Sequence, residues 1–330
     1  MLGAGSVGLC VGGRLARAGF DVLFLVRRPE AARAIARDGV TVEDPGSGDR
    51  FTVSTDAMLL EEAGSRLAGR TVLLCTRSSD TEPAGRALAR LAAGARVASL
   101  QNDVDNAERL APLFPGVVAG VYRQTCTRVA DALVRAQGNG RIVLGDWPAG
   151  IGSTAEALAA ALRAAGYDVG LSPRIIEDLW LKLCVNLTSA PNALVRREDH
   201  ERREFVEIKA RLLEEARAIL AAAGIAARSC DGRDRSLEEE IAHQRASLAL
   251  GTSARRLPLY NQVWSALEAG GPVEADRYHR RILDLARRHR IPAPMNARVL
   301  AALEQAVRER RGPECLGAAE LLGREVERAG

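Results

Sequence analysis

The sequence predicts an α/β domain followed by an all-helical one. Three observations predict it. Short β-branched runs alternate with Ala/Leu/Arg-rich helical stretches over about the first 150 residues. Beyond Ile175 long helical patterns take over. A glycine-rich segment, "GAGSVG" at residues 3–8, opens the first helical stretch.

In chain order, "DVLFLV" (21–26), "RTVLLCT" (70–76), "ARVASLQ" (95–101) and "GVVAGVY" (116–122) predict strands. The stretches "GLCVGGRLARAG", "PEAARAIARDG" and "EPAGRALARLAAG" predict helices closed by glycine. Strand–helix–strand alternation argues for a parallel, doubly wound sheet. "ADALVRAQGNGRIVLGD" predicts a hairpin-like pair turning at Gly138–Asn139–Gly140. Near "YDVGLSPRI" (167–175), Gly170 and Pro173 interrupt both periods, giving domains 1–172 and 173–330. "EFVEIKARLLEEARAILAAAG", "EADRYHRRILDLARRH" and "NARVLAALEQAVRER" predict helices of the second.

The chain has 330 residues, 47% hydrophobic and 27% charged, as in a soluble globular protein. Its net charge of +4 is spread along helical stretches, and aromatics are only 4%. Neither a basic block nor a stacking series points to nucleic acid. The six cysteines (Cys10, Cys75, Cys126, Cys184, Cys230, Cys315) form no C-x-x-C pair, and the four histidines are dispersed. No metal site is expected, and the apolar settings of most of these thiols predict a reducing cytoplasm. Neither a membrane span nor a signal peptide is predicted.

"GAGSVG" fits G-x-G-x-x-G, with Gly3, Gly5 and Gly8 at the glycine positions and Ala4, Ser6 and Val7 between them. Gly3 permits the tight turn, Gly5 lets the backbone approach a pyrophosphate, and Gly8 lets the helix pack on the sheet. The helix N-terminus offers N–H donors to the anion. A Rossmann-like, dinucleotide-binding first domain is therefore expected. After the strand "DVLFLV", where an acidic residue would bind the ribose 2′-OH of NAD, the chain has Arg27 and Arg28. Arginine there accommodates a 2′-phosphate, so NADPH/NADP+ is the expected cofactor. Only Met1 and Leu2 precede Gly3, although such a fold needs a complete strand there. The expectation is a misplaced start or a truncation.

Of 46 Lys+Arg, only Lys182 and Lys209 are lysines. In "EDLWLKLCVNLTSAPN" (177–192), Lys182 and Asn186 fall one helical turn apart beside an apolar stripe of Leu179, Leu183 and Leu187. A helix apolar nearly all round is buried, so these two polar groups face an interior or a cleft. Lysine offers a shiftable pKa and a transferable proton where arginine does not. Lys209, among acidic neighbours, is expected to be solvated.

"GAGSVG", "CTRSSDT", "LQNDVDNAE", "LWLKLCVN", "EADRYH" and "RIPAPMN" occur in that order, and in this the chain resembles the ketopantoate reductases (2-dehydropantoate 2-reductases). The resemblance spans essentially the whole chain. It implies NADPH-dependent reduction of a small-molecule 2-oxo acid, with the active site between the two domains. It implies Lys182 as catalytic proton donor, Asn186 as a substrate hydrogen-bonding residue, and Asn102 near nicotinamide and substrate. It implies Glu274 on the cofactor side of the cleft, and Arg27 at the 2′-phosphate. A helical domain that also serves a homodimer is a further family habit.

The sequence departs from the family pattern at several points. Arg77 stands where lysine is usual, and Asp103 where the loop usually has glycine. The second asparagine of the catalytic helix falls at Ala190, with Asn192 displaced by two. Gln262 replaces the usual substrate serine and Ala266 the usual aspartate. Asn192 and Gln262 are therefore candidate substrate contacts of altered geometry. Two other readings stay open: a reductase of a bulkier oxo acid or an imine, and an NADPH sensor without turnover.

Overall fold

The structure is a computed structural model that describes residues 1–246 and 261–323. The chain divides into two compact units, Met1–Leu179 and Trp180–Gly330. The first is α/β; the second is helical among its described residues.

Unit 1 opens with α1 (Ser6–Arg17), β1 (Leu23–Val26) and α2 (Pro29–Asp38). The strands β2 (Val40–Asp44), β3 (Asp49–Val53) and β4 (Asp56–Leu59) follow. Next come β5 (Thr71–Leu74), α3 (Thr81–Ala92), β6 (Arg96–Ser99), α4 (Asn106–Leu110), β7 (Val117–Arg123), β8 (Cys126–Ala130), β9 (Leu133–Ala136), β10 (Arg141–Asp146), α5 (Ser153–Ala164) and β11 (Asp168–Leu171). Parallel β5, β6 and β7 continue into antiparallel β10, then β11, in the order β11-β10-β7-β6-β5; β1 pairs in parallel with β4. β1, β5 and β10 are largely buried on both faces, as a sheet covered by helices requires.

Residues 1–3 join the two pieces. Leu2 bridges in parallel to Leu25 of β1 and Leu74 of β5. Leu2 N donates to Leu73 O, Cys75 N to Leu2 O, Leu25 N to Met1 O and Gly3 N to Leu25 O, at 2.8 to 3.0 Å. The position expected for a strand ahead of the glycine loop is thus held by Met1–Gly3. The Met1 ammonium, buried, donates to Leu23 O at 2.7 Å, and burial lowers its pKa to about 6.

A second sheet, β3-β2-β9-β8, lies over α1. Gly12 and Gly13 make α1 thin enough for both layers: a Cβ on Gly12 would lie 2.4 Å from Phe24 Cζ, and one on Gly13 2.8 Å from Val42 Cγ2. This sheet corrects the expected hairpin at Gly138–Asn139–Gly140. The strands on either side belong to different sheets, β9 pairing with β2 and β8, and β10 with β7 and β11. The glycine-rich link carries the chain from one layer to the other.

The boundary between units falls within α6 (Ile175–Asn186). Unit 2 continues with α7 (Ser189–Leu194), α8 (Arg203–Ala222), α9 (Leu237–Ala246), α10 (Gln262–Glu268), α11 (Ala275–His289), α12 (Pro294–Glu309) and α13 (Ala318–Leu322). Its core is built around α8, which buries Phe205, Ile208, Leu212, Leu213 and Ile219 and packs against α9, α11, α12 and α13. Glu215 of α8 accepts from Met295 N at 2.7 Å and from Asn296 N at 2.9 Å, satisfying free N–H groups of the first turn of α12. Asn296 Nδ2 also donates to Glu215 Oε2 at 2.8 Å, while its Oδ1 meets Nδ1 of fully buried His279 at 2.9 Å.

Lys209 departs from the solvated position expected of it. It is half-buried, its Nζ lies 4.6 Å from the centroid of the Phe205 ring, and burial lowers its pKa to about 8.

Candidate active site

The glycine loop runs from residues 1–3 into α1. Gly3 has φ +105°, a conformation that favours glycine, and a Cβ there would lie 2.9 Å from Thr76 N. A Cβ on Gly8 would lie 1.9 Å from Gly3 O, so the loop closes only with glycine at both places. Gly5 differs: its Cβ would meet nothing nearer than Cys75 O at 3.9 Å. A Cβ at Gly5 would make only an ordinary contact, so packing within the chain does not itself demand glycine there. Gly5 is also the N-cap of α1, and no side chain caps that end. Uncapped N–H donors at the start of a helix fit a pyrophosphate. Ala4, Ser6 and Val7 are half-buried, and Ser6 Oγ accepts from Arg128 N at 3.0 Å, tying the loop to β8.

Arg27 follows β1 and Arg77 follows β5, the strands on either side of residues 1–3. Crossovers leave in opposite directions there, the switch point where doubly wound sheets bind ligands. Asp80 Oδ2 lies 3.3 Å from Arg27 Nη2 and 3.9 Å from Arg77 Nε, so one carboxylate gathers both arginines. Arg28 is paired instead with Asp131 in the β8–β9 turn. A basic pair at this point fits a 2′-phosphate.

Asn102 is half-buried just after β6, and its loop is anchored by a polar network. Gln101 Nε2 donates to Thr76 Oγ1 and Thr81 Oγ1 at 2.9 Å, and to Thr76 O and Arg77 O at 3.1 and 3.2 Å. Thr81 Oγ1 donates to Asn106 Oδ1 at 2.8 Å, and Asn106 Nδ2 donates to Asn102 O at 2.6 Å. The strand ends carrying Arg77 and Asn102 are locked together by groups that are themselves hydrogen-bonded. Beside Asn102, Asp103 has φ +97°, with its Oδ1 accepting from Val104 N at 2.9 Å. The residue that replaced glycine keeps a glycine conformation.

Gln101, Thr81 and Asn106 were not among the residues expected from sequence. Their signal was the density of Ser, Thr, Asn and Asp in "CTRSSDT" and "LQNDVDN", immediately after apolar runs. Which of these groups pair depends on the β5–β6 register, and that is not written in either segment.

In α6, Leu179, Trp180, Leu181, Leu183 and Cys184 are buried, while Lys182 and Asn186, one turn apart, are half-buried. The N-terminal end of the helix is fixed by Ser172 Oγ donating to buried Asp178 Oδ2 at 2.7 Å and by Arg174 pairing with Glu177 at 2.9 Å. Burial pushes the Cys184 thiol up to about 12, so it stays protonated. At the other end, Ser189 Oγ donates to Asn186 O at 2.5 Å.

Asn192 is half-buried on α7, and its Oδ1 is buried with no hydrogen-bond partner among the described residues. A buried amide oxygen of this kind can accept a hydrogen bond from a ligand hydroxyl. Gln262 is the exposed first residue of α10. The N-cap Asn261 accepts from Trp264 N at 2.9 Å and donates to Ser189 O at 2.8 Å, joining α10 to the first residue of α7. Glu274 is the half-buried N-cap of α11. The cofactor candidates thus lie in unit 1, and Lys182, Asn186, Asn192, Gln262 and Glu274 in unit 2.

Among the described residues no group of three or more His, Cys, Asp or Glu could hold a metal ion, and no helix is long and apolar enough to cross a membrane. The arrangement offers a dinucleotide cradle and, on a separate helix, a lysine with an asparagine one turn away. Together these supply the parts of a nicotinamide-dependent carbonyl reduction.

Comparison with known proteins gives the same answer. The family model "Ketopantoate reductase PanE/ApbA" matches residues 1–149, and "Ketopantoate reductase PanE/ApbA C terminal" matches residues 174–307. The 2-dehydropantoate 2-reductase of Halobacterium salinarum is 28% identical over 308 residues, covering 91% of this chain and 95% of that protein. A PanE/ApbA family ketopantoate reductase from Ralstonia eutropha superposes with a TM-score of 0.77 at 27% identity, over 94% of this chain and 100% of that one. D-mandelate dehydrogenase in a ternary structure with NADH and anilino(oxo)acetate also reaches a TM-score of 0.77, at 18% identity, over 94% of this chain and 100% of that one.

Proposed function

The chain belongs to the ketopantoate reductase family, and from that premise we propose that it is an NADPH-dependent oxidoreductase that reduces a ketopantoate-like 2-oxo acid to the 2-hydroxy acid. The observation that carries this reading is α6. In a chain with two lysines, one stands half-buried on a helix that is otherwise largely apolar, with an amide side chain one turn away.

NADPH, when bound, supplies the hydride to the substrate's C2 carbonyl. The backbone N–H groups at Gly5 and the start of α1 would hold its pyrophosphate, and Arg27 and Arg77 would receive its 2′-phosphate. Asn102 would serve the nicotinamide end, on a loop whose hydrogen bonds keep it in place. Lys182, as ammonium, polarises the carbonyl oxygen and gives it a proton as charge develops, combining electrostatic stabilisation with general acid catalysis. Asn186 and Asn192 orient the substrate's oxygens, and Gln262 takes the place of a serine contact to the carboxylate. Glu274 acts on the charge of the lysine or on the cofactor. In this reading residues 1–172 form the NADP-binding domain and 173–330 the substrate and dimerisation domain of a cytoplasmic homodimer.

Gln262 and Ala266 favour a second substrate reading, a bulkier oxo acid or an imine, because a longer amide and a lost carboxylate both reshape the pocket. The test is NADPH oxidation by the purified protein with ketopantoate and a panel of other 2-oxo acids, beside Lys182→Ala and an NADH control. Ketopantoate turnover that disappears in Lys182→Ala supports the reading. Tight NADPH binding with no oxo acid reduced would overturn it.

A further inference from the structure

We propose that Asp80 sets the balance between NADPH and NADH at the ribose end of the cofactor site; the inference rests on the cofactor reading above. Dinucleotide folds that prefer NAD place an acidic residue after the second strand, where it accepts from the ribose 2′-OH. This chain has Arg27 there, but its Nη2 lies 3.3 Å from Asp80 Oδ2. The carboxylate absent from the end of β1 is supplied from the neighbouring crossover, at the start of α3.

Three features mark Asp80 as more than a helix-capping residue. As N-cap of α3 it would ordinarily accept from an N–H of the first turn, yet its side chain makes no such bond. It is turned instead toward Arg27 and Arg77, and a single oxygen, Oδ2, serves both. The Asp80 side chain is also the fixed member of the trio, 24% exposed against 75% for Arg27 and 47% for Arg77. Its backbone is anchored by Asp80 N donating to Arg77 O at 2.8 Å.

A 2′-phosphate must draw the two arginines from Asp80 and then tolerate its charge nearby. A 2′-hydroxyl has no charge to be opposed, and it can donate to the carboxylate while the arginines stay where they are. Asp80 thus holds the basic pair in readiness, weakens NADPH and admits NADH. Asparagine in its place keeps the side-chain shape and a good N-cap but removes the charge.

Dissociation constants of NADPH and NADH for the full chain, measured by calorimetry without any oxo acid, test this for the unsubstituted protein, Asp80→Asn, Arg27→Ala and Asp21→Asn. Asp21 precedes β1, at the opposite end of the strand from Arg27, and serves as the charge control. Asp80→Asn should tighten NADPH about threefold and weaken NADH about tenfold. Arg27→Ala should weaken NADPH more than NADH. An unchanged NADPH/NADH ratio in Asp80→Asn, equal weakening of both cofactors, or the same shift in Asp21→Asn would overturn the role of Asp80 while leaving the cofactor site standing. Binding of neither dinucleotide by the unsubstituted protein would overturn the site reading and this inference together.

Discussion

Asn106 Nδ2 donates to the main-chain carbonyl of Asn102 across 2.6 Å, so an amide in the first turn of α4 holds the loop expected to lie beside the nicotinamide. The same side chain accepts from Thr81 Oγ1, the first residue of α3. One buried asparagine therefore connects two helix starts to one strand end. Asn106→Leu would fill the volume but leave the Asn102 carbonyl and the Thr81 hydroxyl without it. The expected cost is about 1–3 kcal/mol, read from urea unfolding. A variant as stable as the parent would remove the network from the account of the site.

Lys182→Arg keeps a cation on α6 but offers no readily transferable proton. Turnover should fall about 100-fold or more, while NADPH affinity, assigned above chiefly to residues other than Lys182, should hold. Steady-state kinetics beside equilibrium binding separate the two. Unchanged kcat would make the lysine a fixed charge.

His279 is buried, with Nε2 lacking a hydrogen-bond partner among the described residues, and burial lowers its pKa from 6.5 to about 4. The unfolded chain therefore binds more protons than the folded one between those values. Stability should rise with pH through that window and be lost as pH falls from about 6.5 to about 4, by about 3 kcal/mol from this group. Urea unfolding across that range should show a flatter profile in His279→Gln. An equally steep profile would put the acid sensitivity elsewhere.

Asp103 carries a φ of +97° that costs a side chain about 1 kcal/mol or more. Asp103→Ala loses the Oδ1 bond to Val104 N and keeps the strain; Asp103→Gly loses the bond and relieves it. The glycine variant should be the more stable of the two by about 1 kcal/mol by thermal unfolding. The reverse order would mean that the loop relaxes around alanine.

The lysine helix was legible because its signal is local: apolar residues on most positions, with Lys182 and Asn186 one turn apart. The glycine loop was legible for the same reason. The second sheet was not. β2 and β3 are short and separated by "PGSG", and the other partner of β2, β9, lies about 90 residues away, so no window of sequence contains the pairing. Asp80 escaped for a related cause. In "CTRSSDT" it reads as a helix cap, and only the parallel placement of β1 and β5 on either side of residues 1–3 brings it to Arg27.

The scarcity of lysine has a practical side. A protease that cuts only after lysine meets two peptide bonds in 330 residues, Lys182–Leu183 and Lys209–Ala210, and both lie inside helices. The native chain should resist such an enzyme until α6 or α8 opens, and its unfolding could be followed as the appearance of two cuts. Amine-directed acylation is similarly economical. It meets two side-chain amines, one of them the proposed proton donor, so the oxo acid and the cofactor can each be scored by how far they shield that single nitrogen.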